Sequence, residues 1–338
     1  MKKQLIAFLL SACCALTVWF APPAEAGAGK SPAADVPQVV PVVRGEGVSA
    51  PGGAARAVPV FLAGGEAAGD PLPERVPAED NAGTSPEAEL PFALPVFPGE
   101  ALPAAISLGG QVLPDGLCAV IGREAVLSLD AFEFFAGCAG QISAVPGEAW
   151  IECGGRVIPC SPVSLDVTVL DCGGAICVPV GALASAAGLT AVISAASGGT
   201  EVRLDGEVCF PSAGEVYAEE DLYWLSRIIS AEARGESFLG QLAVGSVVMN
   251  RARSRKFPDT VTGVIFDKQY GVQFSPAYSG SINREPTASC VRAAKLTLEG
   301  FSVSGSILFF FNSSIAPGQW ITANRSYTFT IGGHDFYS

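Results

Sequence analysis

The stretch Leu225–Arg251, LSRIISAEARGESFLGQLAVGSVVMNR, decides how the C-terminal part of this chain folds. Leu225, Ile228 and Ile229 recur at spacings of three and four, which predicts one apolar stripe along a helix. Glu232 lies three residues past Ile229, so it continues this stripe instead of facing water. Burial disfavours the charged form of a carboxylate and raises its pKa, which is what a general acid needs near neutral pH.

Two helices are predicted around this carboxylate, at 219–234 and 238–253, with Ser237 as the N-cap of the second. The alternative for Glu232 is a surface role, in which its carboxylate reaches solvent or pairs with Arg227 or Arg234. Periodicity alone leaves both interpretations open.

The rest of the C-terminal part, about 215–338, is predicted to be mainly helical with a β-rich tail. A third helix is expected over 286–298, with Pro286 in its first turn and Gly300 after its end. The apolar runs at 307–312 and 327–337 are typical of strands.

This part of the chain resembles the SleB-type cell wall hydrolase family through eight short matches that occur in order. They are AEARGE (231–236), GQLAVGSVVMNR (240–251), KFPDTVTGVIF (256–266), QFSP (273–276), EPTASCVRAAKLTLEG (285–300), FFN (310–312), QWI (319–321) and IGGHDFY (331–337). The resemblance implies a lysozyme-like α+β fold in which a catalytic glutamate ends a helix at the lip of a cleft. It also implies that the substrate is the glycan strand of peptidoglycan.

The family resemblance implies lytic transglycosylase chemistry by a single carboxyl group, here Glu232. This group would protonate the glycosidic oxygen and then remove a proton from the C6 hydroxyl of the same muramyl residue, giving a 1,6-anhydro sugar. Glu236 is expected to support it, by orienting Arg234 or capping the next helix. A hydrolase would instead need a second carboxylate roughly 5 to 9.5 Å away. The candidates for that partner are Glu236, Asp259, Asp267 and Glu285.

Further substrate-binding residues are inferred from the same resemblance. Phe274 is expected to stack on a sugar face and Gln273 to hydrogen-bond an N-acetyl group. The remaining candidates are Ser275, Tyr278, Asn312 and Trp320, and each also fits an ordinary core or turn role. His334, in the GHDFY ending, is interpreted as a structural histidine.

Charge is unevenly distributed along the 338 residues, a length that suggests about two domains. Residues 215–338 carry 11 Lys+Arg and 11 Asp+Glu, whereas residues 1–214 carry 9 and 22, so the net charge of −13 lies in the N-terminal part. This distribution argues against nucleic acid as a partner, because such proteins need a basic surface.

Residues 1–26 are predicted to be a secretory signal peptide. Lys2 and Lys3 precede an apolar run, and Ala24-Glu25-Ala26 fits a small-x-small cleavage site. An uncleaved anchor and lipidation at Cys13 are the alternatives. The mature protein is therefore expected outside the cytoplasmic membrane, in the cell wall or spore cortex. Residues 27–102, rich in Pro, Ala and Gly, are predicted to form a disordered linker.

Residues 103–210 are predicted to form a small α+β module with an internal repeat. Short β-like runs are broken by Gly-Gly pairs that favour hairpins, and helices are expected within 127–140 and 178–194. The pattern resembles the copper amine oxidase N-terminal-like domain, which implies a wall-targeting or spacer role without catalysis.

Eight cysteines follow the signal segment, and Cys209 and Cys290 stand apart from the rest. The other six are clustered in the module: Cys118, Cys138, Cys153, Cys160, Cys172 and Cys177. An exported chain with an even count favours disulfides, and buried free thiols remain the alternative. A metal site is not expected, because CxxC pairs are absent from the sequence and it contains one histidine. No cofactor is expected either.

Three rival functions were weighed. A zinc amidase would need several histidine ligands. A Cys–His peptidase would have to use Cys290, which falls within a predicted packed helix, with His334. A wall-binding protein that has lost turnover is the remaining alternative. The sequence thus predicts a secreted enzyme that cleaves peptidoglycan glycan strands of spore cortex or vegetative wall. An accessory or inhibitory wall protein is a further candidate partner, and no obligate oligomer is indicated.

Overall fold

The computed structural model describes residues 90–196, 198–269, 271–315 and 319–338. The predicted signal peptide and most of the predicted linker lie outside these residues. The last part of that linker, from Leu90 on, is already folded against the module. Its Val96 N–H donates to the Cys172 carbonyl at 2.8 Å, so the expected boundary at 102 is too late.

The module begins with two hairpins and a short helix, and the same arrangement then recurs. Its elements are β1 (Leu102–Leu108), β2 (Gln111–Val112), β3 (Cys118–Ile121), β4 (Glu124–Ser128), α1 (Leu129–Ala136), β5 (Ile142–Ala144), β6 (Trp150–Cys153), β7 (Arg156–Pro159), β8 (Leu170–Cys172), β9 (Ala175–Pro179), α2 (Val180–Ala186), β10 (Thr190–Ala196) and β11 (Gly199–Asp205).

The module contains two hairpin–helix units, β3–β4–α1 and β8–β9–α2. The units meet through antiparallel pairing of β4 with β9, within a sheet ordered β10-β11-β1-β3-β4-β9-β8. One predicted Gly-Gly hairpin is β8–β9, with its turn at Gly173–Gly174. The other has its turn at Gly154–Gly155 and lies in a separate sheet, β5-β6-β7. The helix expected within 178–194 is α2, and it is short. Gly188, at φ +65°, follows its end, and Thr190 begins strand β10.

The C-terminal part is a helical cluster followed by a three-stranded sheet. Its elements are α3 (Ala213–Val216), α4 (Glu219–Ala233), α5 (Phe238–Arg253), α6 (Val261–Ile265), α7 (Pro276–Ser279), a 3₁₀ turn (Ser281–Asn283), α8 (Ala288–Leu298), β12 (Phe309–Asn312), α9 (Gln319–Asn324), β13 (Tyr327–Ile331) and β14 (His334–Tyr337). The predicted strands are confirmed, in the antiparallel order β12-β14-β13.

Helices α4, α5 and α8 pack together and hold the apolar stripe that the sequence predicts. Leu225, Ile228 and Ile229 are all fully buried in their shared core. Ser237 caps α5 as expected, because its Oγ accepts from the Gly240 N–H at 3.3 Å. The helix α8 begins at Ala288 with Thr287 as its N-cap, so the placement of Pro286 inside the helix is wrong.

The predicted disulfides are not formed. All eight cysteines of the described residues are free thiols, and seven of them are buried. Burial raises the pKa of the Cys118 thiol to about 12, which keeps it protonated and unreactive. The seven buried cysteines therefore act as small apolar core residues, whereas Cys209 is exposed. Among the described helices, none is long and apolar enough to cross a membrane.

Candidate active site

Glu232 lies in the last turn of α4, where the helix ends before an exposed Gly235. The residue as a whole is partly exposed, but its Oε1 atom is buried and has no hydrogen-bond partner among the described residues. Burial raises the pKa of this carboxyl group to about 7, and the nearby Arg251 partly opposes the shift. The negative end of the α4 dipole acts in the same direction as burial. The alternative in which Glu232 pairs at the surface does not match the structure, because Arg227 pairs with Glu285 and Arg234 donates to the Glu285 carbonyl.

Arg251, in the last turn of α5, is the charged group that shapes this environment. It is 1% exposed, and its Nε donates to the Leu308 carbonyl at 2.7 Å. Three aromatic rings surround its guanidinium carbon at 5.0 to 5.5 Å: those of Phe257, Phe274 and Phe309. Burial lowers the pKa of Arg251 to about 9, against the opposing effects of Asp267 and Glu232.

Arg251 was not among the residues predicted from the sequence. It follows Val244 and Val248 at spacings of four and three, but α5 is buried on nearly all sides, from Gly240 to Val248 and again at Asn250 and Arg251. Such a helix has no single apolar stripe, so periodicity alone does not mark the arginine as buried.

Glu236 takes a different role from the two that were expected. Its Oε2 accepts a hydrogen bond from the Gly333 N–H at 3.2 Å, and its Oε1 lies 3.6 Å from Nδ1 of His334. Arg234 instead donates to the Glu285 carbonyl, and Ser237 supplies the helix cap. Glu236 therefore connects the end of α4 to the turn between β13 and β14.

Asn312 and His334 join Glu236 at this turn, because they are paired across β12 and β14. A Cβ atom on Gly333 would lie 2.8 Å from Nδ2 of Asn312 and 3.2 Å from Oε1 of Glu236, so a larger residue here would displace the Asn312 amide. Burial lowers the pKa of His334, while Glu236 and Asp335 oppose this shift. His334 is thus a buried residue packed edge-on against Phe310, in keeping with the structural role predicted for it.

The QFSP loop is more deeply buried than the resemblance suggests. Phe274 is 1% exposed and packs on Phe310 and Arg251, so the expectation that it stacks on a sugar is wrong for this conformation. Gln273 is also buried, with its Nε2 donating to the Gly271 carbonyl and its Oε1 left without a partner in the described residues. Ser275 is partly exposed at the start of α7.

Two aromatic candidates lie elsewhere on the surface. Tyr278 is exposed, with Lys268 4.1 Å from its ring centroid and its hydroxyl donating to the Phe266 carbonyl. Trp320 is partly buried beneath Arg325, whose guanidinium carbon lies 4.9 Å from the ring. Tyr278 is the more accessible ring for a ligand.

The carboxylates considered as second catalytic groups have other surroundings. Glu285 is 84% exposed and pairs with Arg227 at 2.8 Å, and Asp267 accepts from the Gln269 N–H at 2.8 Å. Asp259 is exposed. Within the described residues, no group of three or more His, Cys, Asp or Glu side chains is arranged to hold a metal ion. A cavity of about 370 Å³ lies at the junction of β6–β7 with α8 and does not include Glu232.

The family described as Cell Wall Hydrolase matches residues 235–337 of this chain. The cell wall hydrolase CwlJ of Oceanobacillus iheyensis is 30% identical over 109 residues, which are 30% of this chain and 76% of that protein. The chain therefore belongs to the cell wall hydrolase family.

Two other similarities cover the same C-terminal part. The spore cortex-lytic enzyme of Bacillus cereus is 34% identical over 120 residues, 36% of this chain and 45% of that protein. The chain thus spans less than half the length of this curated relative. The solved catalytic domain of the germination-specific lytic transglycosylase SleB from Bacillus anthracis is 34% identical, covers 36% of this chain and 97% of its own length, and gives a TM-score of 0.33.

Proposed function

We propose that this protein cleaves the glycan strands of peptidoglycan, with Glu232 as general acid and then general base. The observation that carries the proposal is the Glu232 carboxyl group, which has a buried, unpartnered oxygen and a pKa raised to about 7. Such a group holds its proton near neutral pH and can also release it, as both steps require. The names of the relatives, spore cortex-lytic enzyme and cell wall hydrolase, support this substrate class.

The reaction we infer is a lytic transglycosylation. Glu232 gives its proton to the glycosidic oxygen as the bond from that oxygen to C1 of the muramyl residue breaks. The C6 hydroxyl oxygen of the same residue then bonds to C1, and its proton passes to the Glu232 carboxylate. The enzyme is restored and water is not consumed.

The environment of the other carboxylates supports one acid/base group over two. A retaining or inverting hydrolase needs a second carboxylate facing the same bond. Glu236 and Asp267 already accept backbone hydrogen bonds, and Glu285 is paired at the surface. Among the expected substrate contacts, we retain Ser275, Tyr278, Asn312 and Trp320 together with Glu236 and Gln273. Phe274 is excluded because its buried ring packs on Phe310 and Arg251, whereas the buried Gln273 keeps an Oε1 atom without a partner in the described residues.

The remaining parts of the proposal concern the N-terminal half. We propose export by the 1–26 segment and extracytoplasmic action, since the substrate lies outside the cytoplasmic membrane. The resemblance of the module to the copper amine oxidase N-terminal-like domain remains a prediction, because the family match begins at residue 235. A wall-targeting role for the module belongs to the same prediction.

The proposal is tested by mass spectrometry of the products that residues 27–338 release from purified spore cortex and from vegetative peptidoglycan. Anhydro-muramyl products from the native protein, absent for Glu232→Gln and retained for Glu219→Gln at the exposed start of the same helix, are the expected result. Reducing-end products that depend on Glu232 would replace transglycosylation by hydrolysis. Binding to either substrate without any products would instead favour the wall-binding protein.

A further inference from the structure

The module and the helical cluster share a buried contact that the sequence did not predict. Val157, on β7 of the module, belongs to the apolar core that also contains the buried stripe of α4. Trp150, on β6, packs on Phe238 at a ring distance of 5.7 Å, and the Arg292 guanidinium carbon lies 5.0 Å from the centroid of the Trp150 ring. The sheet β5-β6-β7 therefore completes a core that begins in the C-terminal part.

An ion pair lies inside this contact. Arg156 on β7 donates from Nε and Nη2 to the two carboxylate oxygens of Glu299, at 2.8 and 2.6 Å. The two side chains are 4% and 2% exposed, and Arg156 also donates to the Ser185 carbonyl. Breaking a buried pair by removing one partner is costly, because the other charge is left without compensation in an apolar setting.

Two further hydrogen bonds cross the same boundary. Lys295 on α8 donates to the Gly155 carbonyl at 2.6 Å, and the Ser302 N–H donates to the Pro162 carbonyl at 2.9 Å. Domains of one chain ordinarily move relative to each other unless their contact is large and well packed. Here aromatic packing, a shared core residue and a bidentate ion pair all oppose such movement.

We propose that residues 90–210 are an obligatory structural partner of the C-terminal domain, docked on α8, and not a spacer that carries it. The inner face of α8 packs on α4, which carries Glu232, and on α5. Its outer side contacts β7 of the module. A C-terminal domain deprived of the module exposes the surface under Val157 and Trp150 and leaves Glu299 unpaired.

The first test is thermal unfolding of residues 27–338 and of variants of the ion pair. Arg156→Met is expected to lower Tm by roughly 10 °C, from the cost of breaking a buried pair and the usual scaling of Tm for a chain of this size. The double variant Arg156→Met with Glu299→Leu is expected to recover most of that loss, since no charge remains unpaired. Arg203→Met is the matched control, because the Arg203–Asp205 pair lies inside the module and is about half exposed.

The second test separates docking from folding. A protease recognition sequence inserted after the exposed Glu207 allows the chain to be cut between β11 and α3 without removing either part. The two pieces are expected to stay together on gel filtration and to unfold in one transition, and Arg156→Met is expected to separate them. Pieces that separate while the C-terminal one keeps its Tm, or an Arg156→Met chain that melts like Arg203→Met, would overturn the proposal.

Discussion

The Glu236 carboxylate and the Gly333 N–H, 97 positions apart in the chain, are joined by a hydrogen bond of 3.2 Å. Glu236 lies one helical turn beyond Glu232, just after the end of α4. Gly333 belongs to the turn that connects the last two strands. This contact holds the C-terminal sheet against the end of α4, the helix that carries the proposed acid Glu232.

Replacing Glu236 by alanine is predicted to reduce both stability and turnover. A hydrogen bond to a charged group contributes about 1.5–3 kcal/mol, so urea unfolding should show a loss in that range. Turnover is expected to fall because the segment that carries Glu232 loses its fixed partner. Glu219→Ala, at the exposed start of the same helix, is the control. Equal effects of the two substitutions would contradict a specific role for the contact with Gly333.

Gly245 on α5 is predicted to tolerate no larger residue, although alanine is the better helix former. A Cβ atom there would lie 2.8 Å from Oγ1 of Thr297 and 3.0 Å from Cδ1 of Ile229, on the two neighbouring helices. Overpacking of this kind typically costs about 1–3 kcal/mol. Gly181→Ala, in a helix with nothing within 4 Å, should instead stabilise by up to about 1 kcal/mol. Urea unfolding measures the free energy of unfolding of both variants. A Gly245→Ala variant more stable than the native protein would show that the space between α4, α5 and α8 accommodates a methyl group.

Glu232→Gln is predicted to increase stability while it abolishes activity. The folded pKa of Glu232, about 7, lies above its ordinary value of 4.5, so the native state binds more protons than the unfolded chain between these values. Stability is therefore lost as pH rises from about 4.5 to 7. The glutamine variant does not titrate, so its stability relative to the native protein should rise by about 3 kcal/mol between pH 4.5 and pH 8. Melting temperatures compared at pH 5 and pH 8 test this, and a constant difference would argue against a shifted Glu232.

The contribution of His334 to stability changes with pH in the direction opposite to that of Glu232. Burial lowers its pKa below 6.5, so the unfolded state binds the extra proton as the solution becomes acidic. The native protein should lose stability as pH falls below about 6.5, and His334→Gln should lose less over the same interval. Tm measured in half-unit steps from pH 7.5 to 5 checks this expectation. Parallel curves of Tm against pH for the native protein and for His334→Gln would mean that His334 takes up its proton in the folded state as readily as in the unfolded state.

The parts of the fold that local periodicity determines could be predicted from the sequence. The helices at 219–233 and 238–253 match the expected bounds within one residue, because apolar spacing and the Ser237 cap act locally. The order of strands in the large sheet could not be predicted, because β1 pairs in parallel with β11, with Ala104 opposite Thr200. Strand pairing of this kind depends on a partner far along the chain that local pattern does not reveal.

The same division holds for the site. Glu232 could be found because it continues the apolar stripe of its own helix, whereas α5 is buried on nearly all sides and gives no such pattern for Arg251. The burial of Phe274 and the contact of Glu236 with Gly333 depend on how separate segments meet, which one sequence does not specify. The free cysteines have a similar cause, since an even count favours disulfides but burial of the thiols is set by the packing of the sheets.

The pairing of Arg156 with Glu299 also has a consequence for how these two positions evolve. The arginine belongs to the module and the glutamate to the C-terminal domain, so neither position is under constraint without the other. Members of the family that carry a different N-terminal part are expected either to lack an acid at the end of this helix or to pair it with another group. In a set of aligned relatives, the two positions are expected to change together, and this joint variation would mark the chains whose two halves have evolved as one.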